Sequence, residues 1–241
     1  MEIPSRFCGP AGSGNGGYVC GRMAAYVDGP ATVTLHRPPP LGAALAVDRE
    51  RDGSVRLRDG AALIAAAQPA PDAPHLELPG PVSPGQVRAA AGRARYFEDP
   101  IFPGCFVCGP AREPGDGLRI FPGRLTGRDL WAAPWTPDPS VADPDGKVRA
   151  EIMWAVLDCP SGIAAAEAVG LDTAIVLGRM TARLAARPEV DQPCAVVAWP
   201  GGRAGRKHTA FSALLGPGGA VLAAARAVWL TVPWPRSVAT S

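Results

Sequence analysis

Neither cations nor anions predominate in this chain. Lys and Arg number 24 against 22 Asp and Glu, a formal net of +2, and the cations are scattered, which argues against a nucleic-acid partner because such a partner needs a dense basic face. Extended apolar stretches are missing too. None approaches the roughly 18 residues of a membrane span, and the opening MEIPSRFCGPAGSG has neither a basic nor an apolar signal region; the expectation is a cytoplasmic protein without a membrane partner. Cysteine is sparse. Six thiols, at Cys8, Cys20, Cys105, Cys108, Cys159 and Cys194, are too few to staple 241 residues and read as free thiols in a reducing compartment. Histidine is scarcer still: His36, His75 and His208 supply no second ligand pair for the lone Cys105-Phe-Val-Cys108, so no metal is expected.

What the chain has is apolar content, 47% of its residues, punctuated by 29 Gly and 28 Pro. That is enough to bury a large core. A helix from Tyr18 to about Tyr26 precedes four short β-compatible runs, ATVTLHR, AALAVDRE, SVRLRDG and AALIAAAQ, separated by turn residues. The stretch from Pro69 to Pro84 is too rich in proline for a sheet centre and reads as a linker, followed by a short helix over Gln86–Arg95. Strands are then expected at Asp116–Pro122 and Leu130–Trp135, a second helix over Lys147–Ala168, and four further runs, TAIVLGRMTARL, CAVVAWP, HTAFSALLG and AVLAAARAVWLTV, the last two joined at Pro217-Gly218-Gly219. The halves are 1–70 and 100–235, with a linker over 71–99 and a tail over 236–241. Each half offers one helix followed by a four-strand meander, a degenerate repeat of α+β class in which two units can share one extended antiparallel sheet.

Two helix features carry chemistry. In GNGGYVCGRM, starting at Gly14, glycine strips side chains from a helix entrance and leaves its first N–H groups open to a docked group; a plain flexible loop is the other reading. In AEIMWAVLDCPSGIAAA, starting at Ala150, nearly everything is apolar or small, so Asp158 sits where a carboxylate is costly and must be bonded, paired or reactive. Pro160 offers a simpler account: the helix breaks after Leu157 and Asp158 caps a restart.

Several stretches together resemble the hot-dog-fold acyl-CoA thioesterases, especially the phenylacetyl-CoA (PaaI-like) branch and its fused double-hot-dog relatives. They are Cys105-Phe-Val-Cys108-Gly109 with Gly117-Leu118-Arg119-Ile120, then Leu157-Asp158-Cys159-Pro160-Ser161-Gly162-Ile163-Ala164, the strand ending Gly178-Arg-Met-Thr-Ala-Arg183 and the hairpin ending Ala227-Val-Trp-Leu-Thr. The likeness spans about residues 100 to 232. Earlier in the chain it rests on Asn15-Gly16-Gly17. The resemblance implies a double hot-dog of two antiparallel sheets, each wrapped on a long helix. The family's glycine entrance is absent eight residues before Asp158, where positions 149 to 151 read Arg-Ala-Glu, while nine residues after Asn15 stands Ala24 instead of a carboxylate. Each half keeps what the other lost.

The resemblance therefore implies one surviving site between the halves, with backbone N–H groups at Gly16 and Gly17 as the oxyanion hole and Asp158 as nucleophile or general base. Ser161, a turn further on, orients water or the carboxylate, or bonds a local carbonyl. No cofactor is implied beyond the CoA of the substrate. Arg203, Arg206 and Lys207 form the densest basic cluster and either hold the CoA phosphates or populate a solvated loop. Trp154 is placed to border an acyl pocket beside Tyr18. His36 and the remaining tryptophans, Trp131, Trp135, Trp199, Trp229 and Trp234, read as structural. The function implied is acyl-CoA thioester hydrolysis, with a non-catalytic acyl-ligand binding module as the alternative and a homo-oligomer of the fused pair as the assembly.

Overall fold

Runs of small apolar residues on alternate positions let long helices lie close on a sheet, and both halves of this chain use that device. In the computed structural model, which describes residues 1–73, 76–171 and 173–233, helix α1 spans Gly16–Ala24 and is followed by strands β1 (Ala31–Leu35), β2 (Ala46–Arg49), β3 (Val55–Asp59) and β4 (Ala62–Pro69). A short helix α2 (Pro84–Ala91) opens with a capping box between Ser83 and Gln86. Then come β5 (Gly123–Arg124), β6 (Trp131–Trp135), helix α3 (Ala150–Ala168), β7 (Ile175–Leu184), β8 (Cys194–Ala204), β9 (Lys207–Leu215) and β10 (Val221–Thr231). His75, Trp234 and the tail 236–241 lie outside the described residues.

The expected pair of sheets is corrected to one. All ten strands join in the order β2-β3-β4-β1-β7-β10-β9-β8-β6-β5. The seam is β1 against β7, antiparallel, with Ala31 opposite Ala182 and Thr34 opposite Arg179. The Thr32 and Thr181 hydroxyls meet there at 2.7 Å, and the Arg179 Nε donates to the Thr34 hydroxyl at 2.9 Å. Pairing the two edges satisfies backbone groups that separate sheets would leave open. About this seam the halves mirror each other: the first strand after each long helix pairs both with the last strand of its own half and with its counterpart.

Alternation along the strands sorts the core into two layers. Trp131, Ala133, Val196, Ala198 and Leu214 pack with α1 and α3, whereas the intervening Ala132, Val197, Ala213 and Leu215 pack with Val87 and Ala90 of α2. The segment before the second half thus covers the sheet's other face. Among the described residues no helix is long and apolar enough to cross a membrane.

Two local expectations fail. Asp116–Pro122 makes no strand, because Arg119 takes φ 52° and the N–H groups of Leu118 and Ile120 donate to the carbonyls of Phe106 and Val107 at 2.8 and 2.9 Å; the segment clamps the CxxC loop. Nor does α3 break at Pro160. It runs unbroken through the proline, so Asp158 does not cap a restart. Pro160 has no N–H to give the Val156 carbonyl four residues back; on the next two carbonyls side chains add donors, the Ser212 hydroxyl of β9 to Leu157 at 2.6 Å and the Ser161 hydroxyl to Asp158 at 2.8 Å.

Candidate active site at the crossing of the two long helices

Helices α1 and α3 cross in opposite directions with almost no side chain between them. A Cβ on Gly17 would stand 2.4 Å from the Asp158 Cβ and 2.7 Å from the Trp154 carbonyl, and one on Gly21 would stand 2.5 Å from the Glu151 Cα. Gly17 and Gly21 are four residues apart and so share one helix face. That spacing was readable in GNGGYVCGRM, and it explains two of its glycines by backbone contact.

The crossing sets Asp158 against the start of α1. Its Oδ2 accepts from the Gly17 N–H at 3.0 Å and from the Asn15 Nδ2 at 2.9 Å, while the Asn15 Oδ1 accepts from the Tyr18 N–H at 2.9 Å. Asn15 therefore caps α1 with one end of its amide and fixes the carboxylate with the other. A negative group at a helix N-terminus is favoured by the free N–H groups and the helix dipole. Asp158 is 2% exposed, and burial pushes its pKa up to about 7 against the opposing effect of the Gly17 and Asn15 donors. Its Oδ1 is buried with no hydrogen-bond partner.

The predicted residues divide. Asn15, Gly17 and Asp158 come together, but the Gly17 N–H is given to the carboxylate and does not stand open. The N–H of Gly16, half-buried at the first helical position, is not taken by any acceptor among the described residues. Ser161 bonds the Asp158 main chain and accepts from the Trp229 Nε1 at 2.9 Å, so its hydroxyl is engaged away from the carboxylate. Trp154 is buried one turn before Asp158. The Tyr18 ring stacks on Phe7 with centroids 3.9 Å apart, beside Phe106, in an aromatic cluster of the core. Arg203, Arg206 and Lys207 are exposed at the tight β8–β9 hairpin, turned by Gly205 at φ 58°, and no hydrogen bond among the described residues links them to the crossing. Trp131, Trp135 and Trp229 are buried, Trp199 stacks on Phe211, and exposed His36 ends β1 by donating its N–H to Ile64. Surface clefts lined by Leu118, Trp135 and Ser140, and by Lys147, Leu184 and Arg187, do not include Asp158.

Sequence reasoning missed one neighbour. The Cys159 thiol lies 3.6 Å from that of Cys105, giving the CxxC a third cysteine from α3. Hydrogen bonds from the Cys108 and Cys159 thiols, with further ones from the Val107 and Cys108 N–H groups, hold Cys105 well below the usual thiol range. The adjacency of Cys159 to Asp158 on α3 was the available signal; what Cys159 faces was not.

A single antiparallel sheet carrying two crossed helices on one face is a fold this chain shares with solved structures. The chain is similar over 97% of its length to the tesB protein of Mycobacterium avium subsp. paratuberculosis, at 13% identity, TM-score 0.60 and 91% of that chain. It is likewise similar to a proposed thioesterase II of Thermobifida fusca (17% identity, TM-score 0.59, 97% of this chain and 91% of that one) and to a proposed thioesterase of Novosphingobium aromaticivorans (15%, 0.58, 97% and 94%). The protein has the fold of these hot-dog thioesterase structures. No family profile and no curated protein matches the sequence.

Proposed function

We propose that the protein hydrolyses an acyl-CoA thioester at the crossing of α1 and α3. The observation that carries this reading is the Asp158 carboxylate held through one oxygen by Gly17 and Asn15, with its second oxygen buried and unpartnered, beside the free Gly16 N–H. A fixed carboxylate with one uncommitted oxygen is suited to take a proton from water or to attack a carbonyl. The Gly16 N–H is the donor for the oxyanion that forms as the carbonyl is attacked, and Gly17 positions the acid. The Leu35 and Leu177 side chains pack against the helix start at Gly16; entry there requires them to move aside, and as apolar groups they suit an acyl chain. The exposed cations at the β8–β9 turn are offered to the CoA phosphates.

Thiol release from a panel of acyl-CoA esters is the test, with Asp158→Asn and Asp158→Ala compared with the wild type. Each variant is expected to lose about 10²–10⁴ in kcat, the usual scale for general acid–base catalysis. Unchanged turnover in both removes Asp158 from the chemistry, and stoichiometric binding without thiol release by the wild type turns the protein into a ligand-binding module. Single turnovers in H₂¹⁸O test the nucleophilic role: label recovered in Asp158 marks direct attack through a mixed anhydride that water opens at the aspartyl carbonyl. Replacing Arg203, Arg206 and Lys207 together with Ala is expected to raise KM for CoA esters several-fold while sparing the matching pantetheine esters, which lack the nucleotide. Equal effects on both esters exclude the phosphate role.

A further inference from the structure

The three-cysteine cluster plays no part in the hydrolytic reading and does not depend on it. Its first half is a tight turn. The Gly109 N–H donates to the Cys105 carbonyl at 2.9 Å, and a Cβ on Gly109 would stand 2.4 Å from that oxygen, so only glycine fits after Cys108.

The second half comes from α3. Cys159 brings its sulfur to 3.6 Å from Cys105, and the three Sγ atoms of Cys105, Cys108 and Cys159 lie within 4.8 Å of one another, all buried. The Asn15 Nδ2 faces the cluster, 3.7 Å from the Cys159 sulfur and 3.9 Å from that of Cys105. Packing of thiols as small apolar groups does not require three of them to converge. A tetrahedral cation with metal–sulfur bonds of about 2.3 Å has sulfur–sulfur edges of about 3.8 Å, close to the Cys105–Cys159 spacing.

We propose that Cys105, Cys108 and Cys159 form a three-thiolate binding site for a thiophilic divalent cation, zinc foremost, which ties the CxxC turn to α3. Three metal–sulfur bonds form, and each cysteine still carrying its S–H proton gives it up to solvent. Among the described residues no fourth His, Cys, Asp or Glu atom joins the cluster, so the fourth position takes an exogenous ligand, as in open zinc sites. Thiolate ligation favours zinc over the hard cations calcium and magnesium.

The reduced, chelator-stripped full chain is titrated with Co²⁺ and then with Zn²⁺. One equivalent of Co²⁺ is expected to give thiolate-to-metal absorption in the near ultraviolet with tetrahedral bands in the visible, both abolished by one equivalent of Zn²⁺, and Zn²⁺ is expected to raise the melting temperature. Cys108→Ser and Cys159→Ser are each expected to weaken binding by more than about tenfold, at least the effect of losing a group that only supports a ligand, while Cys194→Ser leaves the titration unchanged. Circular dichroism checks that each variant folds; where one does not, the wild-type stoichiometry and melting shift decide. The site is overturned by the absence of thiolate absorption at one equivalent, by a band that survives Cys159→Ser in a folded variant, or by a Cys105–Cys159 disulfide recovered from the air-exposed protein with no metal retained. Thioesterase activity is not read in any arm, so failure here leaves the hydrolytic reading standing, and the reverse holds.

Discussion

At Asp158 one side chain closes the N-terminus of α1 and keeps one oxygen unpaired, so its two substitutions separate capping from chemistry. Asp158→Ala strands the Gly17 N–H and the Asn15 amide in the core, at about 1–3 kcal/mol for each orphaned group. Asp158→Asn keeps an acceptor. The urea midpoint is therefore expected to fall well below wild type for Ala and less far for Asn, with hydrolysis lost in both; equal midpoints count against the cap. That Asp158 needs a partner was legible in the sequence, because a carboxylate among apolar helix residues is costly; its pairing with Asn15-Gly16-Gly17 was implied by the family resemblance, whose entrance survives there. The second duty of Asn15, one amide spanning the Tyr18 N–H and the carboxylate, was not legible, since it depends on a side-chain position set across the helix crossing.

Within the helices, contact is decided by what is absent from a face. Gly21→Ala places a methyl 2.5 Å from the Glu151 Cα, backbone that cannot turn aside, and overpacking of this kind costs about 1–3 kcal/mol or more. Thermal unfolding of Gly21→Ala is expected several degrees below wild type; an unchanged melting temperature shows that the helices can part without cost. Ser212→Ala tests α3 in the same way. It removes the 2.6 Å side-chain donor to the Leu157 carbonyl, and a loss of about 0.5–1.5 kcal/mol, the net worth of one hydrogen bond, is expected from the denaturant midpoint. Proline in mid-helix argued for a break in the sequence. The helix continues, and Ser212, 55 residues beyond Leu157 and in β9, gives the buried Leu157 carbonyl a side-chain donor; nothing in the local sequence of α3 announces that partner. Arg119 fails the strand pattern of its segment for a similar reason: carbonyls of the Cys105–Cys108 turn capture the N–H groups on either side of it.

For the whole molecule, the β1–β7 seam and the α1–α3 crossing bind the two halves through backbone pairing and buried surface together. A single cooperative unfolding transition is expected, with calorimetric and van't Hoff enthalpies equal; two resolved transitions show that the halves fold as separate units. Residue order alone was enough to specify the two long helices, the eight strands that follow them and the hairpin at Pro217-Gly218-Gly219, because apolar periodicity and turn residues act over short stretches of chain; the candidate pairing of Gly17 with Asp158 came from the family resemblance. The single sheet follows the residue reading and not the two sheets that the resemblance implied. Three further outcomes emerged on packing: α3 continues through Pro160, the Gly17 N–H is already occupied, and Cys159 completes a thiol cluster. Each of these is set by atoms far apart in the chain that meet when the second half docks on the first, and the order of residues carries no direct record of such meetings.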